Sequence, residues 1–375
     1  MPHTRTSHTR TSHTRTSDTR VLIGTLILLM LAPWQGSWAK DFDVLNLPAV
    51  RSEIATESLV YSIRKFHGRI YATGIQGHIL WSEDDGETWT QAQVPVRSSI
   101  LDIHFPTPDK GWAVGHEGLI LHSVDAGKTW EKQYDGLRYG TEGLAYYQKL
   151  ALQYPRDPYY SYLVEEMQFA IEQGADKPLF KVYFHSDTHG HAFGAYGMLL
   201  RTRDGGQNWE HVLHATENDS FYHLFDFAPL PEPGRFFIAG EAGLLMIGDS
   251  NRRKAVRVEN VPWEGSFFTS VAAADGRIVL GGLRGRLFST ADEGKSWSEA
   301  QKPASSSLVD SVRLADGRLV FAGMAGDLLV SSDHGTSFSR LPISSGTRVY
   351  TLAEGPSGTL LVGGPDGIHK LTLPQ

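Results

Sequence analysis

Along residues 60–373 the apolar residues fall in short runs, each cut off by a turn rich in Gly, Asp, Pro or Ser. The stretch 100–133 shows the form: Ile100–Phe105, a PTPDKG turn, Trp112–Gly115, Leu119–Ser123, a turn holding Asp125 and Gly127, then Trp130–Gln133. These runs are too short for helices and end on turn formers, so they predict four strands in a unit of about 41 residues. One segment breaks the pattern. Tyr160, Leu163, Val164, Met167, Ala170 and Ile171 recur at helical spacing, with Glu165, Glu166 and Glu172 off the stripe. Asp157-Pro158 is a suitable helix start and Gly174 a suitable stop.

The strand-bearing unit repeats. G-x-x-G followed by apolar residues occurs as GIQGHIL from Gly74, GHEGLIL from Gly115, GAYGMLL from Gly194 and GEAGLLM from Gly240. It returns as GLRGRLF from Gly282, GMAGDLL from Gly323 and GPDGIHK from Gly364. Successive spacings are 41, 79, 46, 42, 41 and 41, which is seven units with 38 surplus residues, falling within 135–178. A repeat of this length and strand content predicts an all-β fold, a seven-bladed β-propeller of four-stranded blades. A helical insertion then sits between the second and third blades. The last unit ends after its third strand, at Leu373. Asp41–Val50, apolar at Phe42, Val44 and Leu47, is placed to supply the missing outer strand and close the ring.

A second motif follows the first: SEDDGETW (82–89), SVDAGKTW (123–130), TRDGGQNW (202–209), TADEGKSW (290–297) and SSDHGTSF (331–338). Asp84, Asp125, Asp204, Asp292 and Asp333 can each accept N–H groups of their own turn. Trp89, Trp130, Trp209 and Trp297 can pack back on the sheet. Units four and seven lack the motif. This S-x-D-x-G-x-T-W element is the Asp-box or BNR repeat. With G-x-x-G-x-[IL]-L and turns such as DKGWAVG (109–115), the chain resembles the photosystem II stability/assembly factor family over roughly residues 45–373, insertion apart. The resemblance implies a non-enzymatic factor without cofactor that binds a membrane protein or its assembly intermediates. Similar proteins occur in bacteria with no photosystem, so the implied client in this chain stays open.

Composition adds three constraints. There is no Cys among 375 residues, which excludes a disulfide scaffold, a thiolate metal site and a cysteine nucleophile. The first 39 residues hold four of the 35 basic residues and one of the 42 acidic ones, leaving the remainder at −10. Such an acidic body repels phosphate backbones, so no nucleic-acid partner is expected. Residues 3–17 read HTRTS three times over; Arg20 and the apolar run Val21–Ala32 follow, then Ser37-Trp38-Ala39. That is the layout of a secretory signal cleaved before Lys40. Twelve apolar residues make about 18 Å of helix, against roughly 30 Å of hydrocarbon. The expected layout is a signal at 1–39, a propeller at 40–375 and a helical insertion at 135–178, exported to a periplasm or thylakoid-lumen-like compartment as a monomer.

Propeller geometry sorts the candidate site residues. Inter-blade connectors and the loop between strands two and three share one face; the Asp-box turns lie on the other. The first face collects Arg97, His116, Glu117, Tyr196, Glu241, Arg284 and Arg348 as partner-binding candidates, with no catalytic residue and no metal site assigned. The helical insertion joins this face, as a docking element, a lid, or a hairpin packing its own stripe on the blades. His185, Asp187, His189 and His191 suit zinc by type, but they overlay the ordinary hairpin turn of unit two. A sialidase-like glycoside hydrolase would need Arg97, Arg284 and Arg348 as an arginine triad with Tyr196 and Glu241. A secreted glycan-binding or adhesin propeller is the third reading.

Overall fold

The computed structural model describes residues 43–250, 254–301, 304–342, 348–356 and 358–374. The signal expected at 1–39, and Asp41 and Phe42 of the proposed closing strand, lie outside the described residues. From Asp43 onward the chain forms one compact unit. Seven antiparallel sheets follow one another along the chain, six of four strands and a last one of three, each in simple up-and-down order. The third blade, for example, runs Leu179–Phe184, Gly190–Gly194, Leu199–Thr202 and Glu210–His211. First strands touch the first strands of both neighbouring blades all the way round, and the Val60–Phe66 strand of blade 1 meets Thr351–Glu354 of blade 7. The result is a closed seven-bladed propeller with the first strands on the axis.

Each repeated motif performs a local task. In the Asp-box turn of blade 2 the Asp125 carboxylate accepts from Ser123 Oγ (2.8 Å), Thr129 N (2.9 Å) and Thr129 Oγ1 (2.6 Å). Ala126 and Gly127 both take positive φ, and the Trp130 indole N–H donates to Gly127 O at 3.0 Å. The carboxylate contacts recur at Asp84, Asp204, Asp292 and Asp333, while the indole bond to the Gly carbonyl recurs at Trp89. These carboxyls are held below their ordinary range by those donors. They are structural turns. In the G-x-x-G loop the first Gly admits a neighbouring chain: a Cβ on Gly115 would lie 2.0 Å from Ser99 O. The residue before the second Gly is left-handed at Gln76, Glu117, Tyr196, Ala242 and Arg284, with φ between 49° and 58°.

Ring closure differs from the expectation. The described part of the proposed closing segment, Asp43–Val50, forms a turn and irregular chain that packs on blades 1 and 2. Leu45 is buried with Val94, Val96 and Trp130. Ala49 N donates to Val94 O, and Arg97 N to Val44 O. Pro48 lacks the N–H that a ladder strand needs. The open edge of blade 7 is covered instead by the single 3-10 turn Ala55–Glu57, whose Thr56 carbonyl would sit 2.1 Å from a Cβ on Gly367.

The insertion folds as α1 (Gly136–Gln153) and α2 (Pro158–Gln173). Asp157 caps α2 by accepting from Tyr159 N, with Pro158 at the first position and Gly174 at the end. Of the expected stripe, Leu163, Met167 and Ala170 are buried, while Ile171 is exposed. The helices cross closely at Gly143, where a Cβ would meet Met167 Sδ at 2.5 Å and His211 at 2.7 Å. His211, on the outer strand of blade 3, seats the hairpin. Its Nε2 meets Tyr134 Oη at 3.1 Å, and the rings of Tyr139 and Tyr147 pack on it. Among the described residues no helix is long and apolar enough to cross a membrane.

Burial lowers His211 and His191 to about 3 and His104 to about 4. In the unfolded chain these rings titrate near 6.5. Below pH 6.5 the unfolded chain therefore takes up protons that the fold refuses, so stability is full above that pH and falls towards pH 4. Urea midpoints measured from pH 7.5 to 4.5 should decline, and His211→Gln should shallow the decline. A flat profile in the parent protein would contradict the buried neutral histidines.

Candidate functional site

Every first strand but that of blade 7 carries an irregular pairing step at one place. In blade 1 it falls between Val60 and Ser62, and in blade 2 between Ile100 and Asp102. The extra residue of such a bulge is turned out of the ladder. Here that residue is Tyr61, Leu101, Phe180, Phe225, Phe268 or Val309, and Tyr350 takes the matching place in blade 7. All seven are apolar or aromatic, all are half-buried, and together they line a funnel of about 340 Å3 at the axis. His116 of the blade 2 G-x-x-G loop also lines it, which places the funnel on the face where the partner-binding residues were expected.

The residue after each bulge is polar in every blade: Ser62, Asp102, Lys181, Asp226, Thr269, Asp310 and Thr351. With Arg64 they form a polar layer across the axis beneath the funnel. Arg64 Nη1 lies 2.9 Å from Asp310 Oδ2, and Nε lies 3.5 Å from Asp102 Oδ1. Lys181 Nζ lies 3.3 Å from Asp226 and 3.8 Å from Asp102. Asp310 also accepts from Thr351 Oγ1 (2.7 Å) and Leu352 N (2.9 Å), while Ile63 N donates to Thr351 Oγ1 (2.9 Å). Burial alone would raise the Asp310 carboxyl, but Arg64 and Lys181 hold it below its ordinary value. Asp226 goes the other way, because burial outweighs the pull of Lys181.

A track of rings leads out of the funnel. Phe268 meets Phe225 (5.1 Å between centroids), Phe225 meets Phe180 (5.7 Å), and both Phe180 and Phe225 touch His223. Tyr196 stands edge-on to His223 at 4.9 Å and is 55% exposed. Lys177 then lies over both the Tyr196 ring and the Phe169 ring of α2, at 5.4 and 5.9 Å. The helical hairpin thus forms one bank of this track.

The expected partner-binding residues divide in two. His116, Tyr196 and Glu241 join the funnel and its rim. Glu241 accepts from His223 N at 3.1 Å, and Tyr196 N donates to His223 Nδ1 at 2.8 Å. Glu241 Oε2 also lies 3.9 Å from His223 Nδ1. Arg284 and Arg348 are exposed, Glu117 is turned to Ser98 Oγ, and Arg97 Nε donates to Pro48 O at 3.2 Å. None of these four lines the funnel. In the histidine hairpin, Asp187 pairs with Lys110 of blade 2 at 2.7 Å, while His191 is buried behind it. Sequence reasoning missed the collar and the charged layer beneath it. The signal was present as an apolar–polar pair at the same place in every unit: Leu101-Asp102 before Gly115, Val309-Asp310 before Gly323.

Fold and site define an Asp-box propeller with an apolar-collared axial funnel. The chain belongs to the family described as photosynthesis system II assembly factor YCF48, which matches residues 82–153 and 164–362. The break between the matched segments falls at the tip of the helical hairpin. No curated protein sequence matches. Among solved structures, YCF48 bound to D1 peptide aligns over 88% of this chain and 100% of its own, at TM-score 0.60 and 16% identity. YCF48 from Cyanidioschyzon merolae aligns over 85% and 96%, at TM-score 0.59 and 17% identity. Virginiamycin B lyase from Staphylococcus aureus aligns over 88% and 98%, at TM-score 0.64 and 11% identity. At these identities the likeness is one of fold.

Arg64 serves two carboxylates, so removing it leaves Asp310 without a close cation and Asp102 with Lys181 alone, at 3.8 Å. Arg64→Met should lower unfolding stability by about 3 kcal/mol or more, and adding Asp310→Asn should recover part of the loss. Urea denaturation decides this; a loss under about 1 kcal/mol for Arg64→Met would mean the network is not what holds the axis together.

Proposed function

We propose that the protein is a non-catalytic binding factor that captures a segment of a membrane protein during its assembly, on the face that carries the funnel. The observation that carries this reading is the collar. Seven apolar side chains remain half-buried around one cavity with polar groups at its floor, and a concave apolar site of that kind is the usual form of a binding site. The track through Tyr196 to Phe169 extends it into a groove suited to an apolar or aromatic chain segment. Family membership supports an assembly role, and a relative in that family is described as bound to D1 peptide. Arg284 and Arg348 would then orient the client from outside the funnel, with Glu117, Glu241 and His116 at the rim; Arg97 would act through the segment it holds. The glycosidase reading loses support because the three arginines do not meet in the funnel and Glu241 is occupied by a backbone N–H. Export through the 1–39 signal to a periplasm or lumen, and action as a monomer, complete the proposal.

The test is capture from native membranes after cross-linking with a tagged protein. One membrane protein should be enriched, and Phe225→Ala with Phe268→Ala should cut its recovery at least tenfold without changing the melting profile. Tyr196→Ser with Phe169→Ser should weaken it less. Unchanged recovery in both variants would remove the funnel from the account. Glycoside turnover that disappears in Glu241→Ala would replace binding with catalysis.

A further inference from the structure

The axial channel has a second cavity, beneath the charged layer and on the Asp-box side. Its volume is about 190 Å3, and it is walled by rings near the far ends of four successive first strands. Phe66 meets His104 at 5.0 Å between centroids, His104 meets Tyr183 at 4.9 Å, and Tyr183 stacks on Phe227 at 4.2 Å. His104 accepts from Phe184 N through Nδ1, so it adds no positive charge there. The inner end is the charged layer itself, three carboxylates against two cations. Both cations are already divided: Arg64 spans Asp102 and Asp310, and Lys181 spans Asp102 and Asp226. With all three ionised the layer carries one more negative charge than positive, and the other donors to Asp226 (Ser270 N and Oγ) and to Asp102 (Ser62 Oγ and Val182 N) are neutral. A buried excess of that kind is costly, and aromatic faces stabilise a cation beside it. Rings and ion-paired carboxylates make a poor cage for a hard metal ion, which needs several free oxygens.

From this geometry we infer that the vestibule binds one organic cation, an alkylammonium or guanidinium group, with its charge towards Asp102 and Asp226 and its methylenes against the rings. The cation is either a free small amine or a Lys or Arg side chain of a partner. The site lies on the face opposite the proposed client groove and stands whether or not that reading does.

Calorimetric titration of the full chain tests it, with n-butylammonium and N-butylguanidinium as cations and butan-1-ol as the neutral control. Both cations should bind and raise the melting temperature, while butanol does neither. Tyr183→Leu should weaken binding about fivefold, since it keeps bulk and removes the ring. Asp226→Asn, which equalises the charges, should weaken it at least tenfold. If Asp226→Asn does not fold, Tyr183→Leu alone decides. A capped Gly-Lys-Gly peptide separates the sources: tighter binding than butylammonium identifies a partner side chain, and exclusion of the peptide identifies a free amine. Equal binding of butanol and butylammonium, no binding of either cation, or binding unchanged in both variants would overturn the inference.

Discussion

Seven first strands converge on one axis, and the charge they bring there must be balanced within the protein. This is the constraint on which the rest of the structure depends. Each blade contributes one polar residue to the layer, and Arg64 joins what the chain itself does not. Its guanidinium reaches Asp102 of blade 2 and Asp310 of blade 6, while Asp310 and Ile63 share Thr351 of blade 7. The contacts of Arg64 with Asp310 and of Ile63 with Thr351 cross the junction between blade 1 and the last blades. Among the described residues no strand ahead of blade 1 completes blade 7, and the junction is held by packing, by the 3-10 turn over the blade 7 edge, and by this network.

The same layer shapes both cavities. Arg64, Lys181 and Asp310 line the funnel and the vestibule alike. Above the layer each blade turns one apolar residue towards the mouth, six of them on bulges; below it the first strands of blades 1 to 4 end in rings. Bulge, polar layer and ring wall are successive positions on one strand type, repeated with variation. The variation carries the asymmetry. Phe180, Phe225 and Phe268 concentrate aromatic surface on blades 3 to 5, beside the helical hairpin. Rings at blades 1 to 4 line the opposite vestibule. A scaffold built from one repeat thus presents two chemically different ends.

Much of this fold was legible in the sequence because glycine and aspartate act locally. The first Gly of G-x-x-G is dictated by an approaching carbonyl, and the Asp-box by donors within its own turn, so each leaves a fixed pattern. Ring closure was not legible, since Leu45 is drawn to Val94 and Trp130 by packing that no periodicity records. Candidate site residues fared unevenly for the same reason. Tyr196 and Glu241 both meet His223, which belongs to an inter-blade connector without a motif. Arg64 and Lys181 look like ordinary solvated charges in an apolar–polar alternation. Only the convergence of seven strands makes them internal.

The central claim is that the collared funnel is where a partner enters. Site-specific photo-cross-linking tests it most directly: a benzophenone amino acid replaces Phe268 in the collar, or His334 in an Asp-box turn on the other face, and the labelled protein is irradiated with native membranes. The account predicts a discrete membrane-protein adduct from position 268 and none from 334. Adducts of equal yield from both positions, or from 334 alone, would contradict it.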